Sequence, residues 1–151
     1  MGSKSNTLEN KLLLHLLQNA AIAGIGDTNG VLGSATAGNV YVRLCTSATT
    51  CDDATVGTEA NYTGYVAGGV AVPRSSAGWT VSGNGASNTA AITFGACTAG
   101  TNTIRYVELW MDNTNTTEPY RLWWGQLTAD LAVSAGITPQ FAIGELDVTE
   151  D

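Results

Sequence analysis

The sequence predicts a mainly β protein: an antiparallel β-sandwich of jelly-roll type carrying one N-terminal α-helix. Three observations lead there. Helical spacing of apolar residues occurs once, near the start, and a spacing of two recurs in short runs afterwards. Only 13% of the residues are charged, while Gly numbers 18, a balance that suits short strands joined by tight turns. A length of 151 residues fits one domain. That domain is expected over 1–151, with a helix over 6–21, an arm or connection over 22–39 and the sandwich over 40–151.

The helix is predicted from Asn6 with Glu9 three residues on, a capping-box-like start, followed by Leu8, Leu12, Leu13, Leu14, Leu16, Leu17 and Ala20. Lys11, His15 and Gln18 fall on one narrow polar stripe, so the apolar surface is wider than docking on one domain requires. Leu14 and Leu17, lying away from the Leu8-Leu12-Leu16 stripe, are therefore expected to contact another subunit or a partner protein. The next segment, Ile22 to Asn39, is rich in Gly, Ala, Ser and Thr and reads as a connection. Val40, Val42 and Leu44 then alternate as a strand. Further strands are predicted over Tyr65–Val72, Trp79–Val81, Thr89–Phe94, Ile104–Met111, Tyr120–Leu127 and Gln140–Val148. Turn signals separate them at Ser82-Gly83-Asn84-Gly85, Asp112-Asn113-Thr114-Asn115 and Ser134-Ala135-Gly136.

Composition also restricts function. A net charge of −7 with only six Lys and Arg leaves no phosphate-neutralising stripe, so no nucleic-acid partner is expected. No apolar run approaches the roughly 20 residues that span a bilayer, so no membrane insertion is expected. Glu9, Lys11 and His15 interrupt the leucine-rich start, which argues against a secretory signal. His15 is the only histidine, and nothing near it in sequence supplies a nucleophile or an orienting acid, so it is read as a solvated or interface residue. Among the carboxylates, Glu108 alone sits in a strand beside aromatics. It shares a face with Tyr106 and Trp110, and that face is expected to lie outside and partly exposed. Asp52-Asp53 lacks the alternating acidic pattern of a calcium loop. No catalytic residue, cofactor or metal ligand is therefore expected. Cys45 and Cys51 flank a loop short enough for a disulfide if the strand ends face each other, which leaves Cys97 odd. Adjacent Trp123 and Trp124 must point to opposite faces of a strand, so one fills the core. The other is offered to a subunit contact or, as a lesser alternative, to a sugar.

Several segments together resemble a known family. Leu8-Glu9-Asn10-Lys11-Leu12-Leu13 with His15-Leu16-Leu17 is similar to the opening helix of small tailed-bacteriophage structural proteins, commonly labelled tail-fibre proteins. The likeness continues through Val40-Tyr41-Val42-Arg43-Leu44-Cys45-Thr46, Gly57-Thr58-Glu59 and Ser87-Asn88-Thr89-Ala90-Ala91-Ile92-Thr93-Phe94. It resumes at Leu122-Trp123-Trp124-Gly125-Gln126-Leu127, Val133-Ser134-Ala135-Gly136 and Gln140-Phe141-Ala142-Ile143-Gly144-Glu145-Leu146. The chain departs in its longer Ile22–Asn39 connection and in Cys51 and Cys97. The resemblance implies a virion protein with no catalytic residues to carry over. With no repetitive shaft and a helix apolar on more than one side, the leading expectation is a non-enzymatic capsid decoration or cement protein. It would form a trimer on the virion surface, bound to other virion proteins such as the major capsid protein. The alternatives are a tail-fibre or tail-tip module contacting the host surface, including a host surface glycan, and a carbohydrate-binding β domain.

Overall fold

The computed structural model describes residues 4–26, 28–47, 57–113 and 121–150. Its helix α1 covers Asn6–Gln18 and is shorter than the 6–21 expected. Ser5 rather than Asn6 is the N-cap, its Oγ accepting from the Leu8 backbone N–H at 3.3 Å. The helix stops at Asn19, which turns left-handed at φ +58°; the Ala20 N–H then closes on the Leu14 carbonyl at 3.1 Å.

Among the described residues nine strands follow: β1 (Asn39–Cys45), β2 (Val70–Pro73), β3 (Trp79–Ser82), β4 (Gly85–Asn88), β5 (Ile92–Thr93), β6 (Asn102–Trp110), β7 (Arg121–Val133), β8 (Gln140–Phe141) and β9 (Asp147–Thr149). They form a four-stranded sheet in the order β2-β1-β6-β7, a three-stranded sheet β3-β4-β9 and a short ribbon β5-β8. The pairs β1–β6, β6–β7, β3–β4 and β4–β9 are antiparallel, so the protein is mainly β with a single helix, as the sequence predicts. Several strands differ from expectation: β2 and β5 are shorter, and β7 runs on to Val133. Strand β4 was not foreseen, because Gly85-Ala86-Ser87-Asn88 lacks apolar alternation. The expected strand over Gln140–Val148 is divided into β8 and β9. Asn88 holds the intervening loop through Ala142 O at 2.7 Å and the Leu146 N–H at 2.9 Å.

The chain forms two compact units, each built from separated segments. Unit 1 comprises Met1–Asn39, Pro73–Ile92 and Phe141–Asp151. In it α1 packs on β3 and β4, burying Leu13, Leu17, Trp79, Ala86 and Val148. Polar bonds fix the helix in place: Asn10 Nδ2 donates to Gly83 O at 2.7 Å and Gln18 Nε2 to Trp79 O at 2.7 Å. Buried Arg74 caps the C-terminal end, donating to Leu16 O (2.6 Å), His15 O (2.8 Å) and Ala37 O (2.9 Å). A guanidinium suits this place because the last carbonyls of a helix lack intrahelical donors and carry partial negative charge. Asn19 and Ser34 bond reciprocally at 2.7 and 2.8 Å, and Ile22 bridges to Val31, so the 22–39 connection is folded back on itself.

Unit 2 comprises Val40–Val72 and Thr93–Gln140 and contains most of the four-stranded sheet. One face carries Val40, Val42, Leu44, Val107 and Leu109, all buried as their alternation requires. The other face carries Arg43, Cys45, Glu108 and Trp110, which are buried too. Between Ile104↔Leu131 and Tyr106↔Gln126, β6 advances two residues while β7 advances five, a large bulge on β7.

Candidate functional site

Glu108 is the centre of the polar structure in unit 2. Its backbone lies opposite Arg43 on β1 and Trp124 on β7, and its side chain is buried instead of partly exposed as expected. The reason is a segment far away in sequence. Gly57 lies over this face, its N–H donating to Glu108 Oε1 at 2.9 Å. A Cβ on Gly57 would stand 2.9 Å from Cys45 Cβ and 3.1 Å from Glu108 Oε1, so only glycine comes this close. Trp110 Nε1 donates to Oε2 at 2.9 Å, and Arg121 Nη1 donates to Oε1 at 3.2 Å as a buried ion pair. Arg43 stacks over the Trp110 ring at 4.2 Å and donates through Nη2 to Asp112 O at 2.8 Å. Burial of this kind is tolerated because the carboxylate meets three donors, one of them a cation. A carboxylate so engaged ties β6 to β7 and to the Gly57 segment.

A second, half-buried acid extends the network. Glu59 Oε1 accepts from Tyr65 Oη at 2.7 Å and from the Gly68 N–H at 2.8 Å, while the Leu44 N–H donates to Tyr65 Oη at 3.2 Å. Burial, followed by the Glu59 charge, pushes the Tyr65 phenol up from its usual range. The Cys45 thiol is likewise pushed up, first by burial and then by the charges of Glu108 and Glu59, so it is held protonated and unreactive.

The remaining sequence candidates are dispersed. Trp123 lies opposite Leu109 and Trp124 opposite Glu108, so the two do point to opposite faces, and both are half-buried. The Trp124 ring lies 6.3 Å from that of Tyr106 at a tilt of 43°. Leu17, expected at an intersubunit contact, is 0% exposed, which places it in the core of its own unit instead of at a contact with another molecule. Leu13 and Leu17, four residues apart and so on one helix face, both lie on the side of α1 that packs on β3 and β4. Leu14 is half-buried and lines a shallow groove with Asn6, Thr7, Asn10, Lys11 and Gly83. Cys45 and Cys97 are buried free thiols. Cys51 lies outside the described residues, as do Asp52 and Asp53, so the expected Cys45–Cys51 bridge falls on a segment the structure does not describe. His15 Nδ1 meets the Ala20 carbonyl at 2.8 Å; a carbonyl only accepts, so Nδ1 carries the proton and the ring fastens the helix end. Among the described residues no group of three or more His, Cys, Asp or Glu converges as a metal site, and no helix is long and apolar enough to cross a membrane.

Sequence reasoning singled out Glu108 but expected it partly exposed, and it missed the roles of Glu59 and Arg74. One signal was available for Glu108: an acid between Tyr106 and Trp110, with Arg43 on a strand that could pair with it.

The buried ionic groups of this antiparallel β protein hold strands and segments together. The chain belongs to the family described as podophage GP4 fiber I protein gp80, whose model matches residues 3–149. No curated protein matches the chain. Family membership makes it a fibre-like structural protein of a phage virion.

Proposed function

We propose that the chain is a non-enzymatic module of a tail fibre or tail tip that contacts the host surface. The observation that supports this most is the match to a phage fibre family along nearly the whole chain, residues 3–149. It favours the fibre reading over the capsid decoration otherwise expected from the absence of a repetitive shaft. Leu14 on the helix and half-buried Trp123 and Trp124 on β7 are the surfaces offered to further copies of the chain, up to a trimer, and to other virion proteins. The engagement of Glu108 by Trp110, Arg121 and Gly57 supports a role without catalysis. Immunogold labelling of purified virions tests the location. Label at the tail is expected, and label distributed over the head would restore the decoration reading.

A further inference from the structure

Asn precedes Gly at two places in the chain, Asn29-Gly30 and Asn84-Gly85. This pair carries its own chemistry: with no Cβ on the second residue, its backbone nitrogen reaches the Asn side-chain carbonyl carbon without steric hindrance. The structure treats the two places differently. Asn84 sits half-buried in the turn of the β3–β4 hairpin, with Gly85 opposite Ser82 on β3 and Thr149 on β9. Its Nδ2 donates to Glu150 O at 3.2 Å, and its own carbonyl accepts from the Glu150 N–H at 2.9 Å. Asn29 lies in the 22–39 connection, outside every strand, and is exposed. Regular pairing around it is confined, among the described residues, to the single bridge between Ile22 and Val31, with bonds of 2.8 and 3.0 Å. Gly30 turns left-handed there, at φ +67°, and a Cβ on it would overlap the Ile22 carbonyl.

We propose that Asn29 is a modification site at which the chain alters itself, its amide becoming a carboxylate, mainly as isoaspartate, with water as the only co-reactant. The Gly30 nitrogen gives up its proton and bonds to Asn29 Cγ; the Cγ–Nδ2 bond breaks, and ammonia leaves with that proton. The resulting five-membered imide takes up one water. Cleavage at the Asn29 backbone carbonyl leaves isoaspartate, with the chain running through Cγ, and cleavage at Cγ leaves aspartate. Ring closure needs backbone rotation at the Asn, and the cost of that rotation separates the two places. At Asn84 the hairpin end must first detach from β9, whereas an exposed loop opens at little cost. Isoaspartate adds one methylene to the backbone and one negative charge to a chain already at −7. Gly30 packs too closely on Ile22 for a longer backbone to fit, so the Ile22–Val31 bridge is lost. A virion protein is not renewed after assembly, so the change accumulates with the age of the particle.

The test is incubation of the intact chain at pH 8 and 37 °C, with peptide mass spectrometry to locate the amide-to-acid mass gain and isoaspartyl methyltransferase to count isoaspartate. Asn29 is expected to convert about tenfold or more faster than Asn84 in the folded chain, and the two rates to converge in urea. Asn29→Gln, whose longer side chain does not form the five-membered ring, should remove most methyl acceptance from the aged chain. Hydrogen exchange reads the consequence: the Ile22 and Val31 amides should exchange faster in the aged wild type and not in aged Asn29→Gln. Equal rates at Asn29 and Asn84 in the folded chain, or faster conversion at Asn84, overturn the proposal. An Asn29 that stays intact in the folded chain while converting in urea overturns it equally. Exchange at Ile22 and Val31 that is unchanged after conversion overturns the loss of the bridge.

Discussion

Replacing Glu108 by Gln changes one atom type in a fully enclosed place, and the structure supplies the size of the effect. The amide keeps the shape and one acceptor, but the Arg121 guanidinium, 3.2 Å away with its side chain 5% exposed, loses the charge of this partner. The Trp110 indole and the Gly57 N–H compete for a single remaining oxygen, so one buried donor is stranded. Breaking a buried pair by removing one partner costs about 3–5 kcal/mol, most of it from the charge left behind. Taking the lower value, since Gln still accepts once, the loss is about 3 kcal/mol. For a chain of this length that lowers the melting temperature by roughly 6–12 °C. Urea and thermal unfolding followed by tryptophan fluorescence measures it, because Trp110 is itself a ligand of the carboxylate. Adding Arg121→Gln should recover part of the loss, with a coupling of about 1–3 kcal/mol. A single-variant cost below about 0.5 kcal/mol, the range of ordinary surface substitutions, would refute the reasoning.

Arg74→Ala should cost about 3 kcal/mol in urea unfolding, since three part-buried carbonyls lose their donor, and Arg74→Lys should recover only part because an ammonium cannot fork. The two helix leucines should separate: Leu17→Ala opens the core and costs about 2–5 kcal/mol, whereas Leu14→Ser leaves the unfolding curve in place and lowers oligomer mass in light scattering. Cys45 should resist alkylation in the native chain at pH 8 and react after unfolding without reductant, as peptide mass spectrometry reads directly; a Cys45–Cys51 bridge would leave it unlabelled. Its raised folded pKa also has a sign: the thiol contributes stability below its unfolded value of 9.0, and that contribution is lost as pH climbs above it, so unfolding free energy should fall on the alkaline side. Asn19→Ala should cost about 2 kcal/mol, combining left-handed strain with two lost bonds to Ser34, while Asn19→Gly loses only the bonds.

Periodicity made the central strands legible. Val40, Val42 and Leu44 on β1, and Val107 and Leu109 on β6, are buried on one face, as alternation alone requires. The same rule misread Glu108, because what covers the second face is Gly57, fifty-one positions earlier, and no local pattern encodes that coverage. Helix existence was legible from the leucines, but its end was not: Gln18 and Ala20 suit a continuing helix, and only the left-handed Asn19 breaks it. Strand β4 stayed hidden because its buried positions are Ala86 and Asn88, one small and one polar, and Asn88 is tolerated inside through bonds to Ala90, Ala142 and Leu146. Leu17 was given to the wrong partner for the related reason that a wheel shows which residues share a side, not which side faces the sheet.

The interleaving of the two units bears on when this protein can fold during its synthesis. Unit 1 begins with Met1–Asn39 yet needs Phe141–Asp151, whose strand β9 pairs with β4. Translation adds about 5–20 residues per second, so the leucine-rich helix emerges seconds before its sheet is complete. During that interval Leu13 and Leu17 have no finished core to enter and are open to a chaperone or to a neighbouring nascent chain. Removing the segment after Gln140 would leave the ribosome product permanently in that condition. Such a truncation should be recovered in aggregates or bound to chaperones, with the helix sequence intact but undocked.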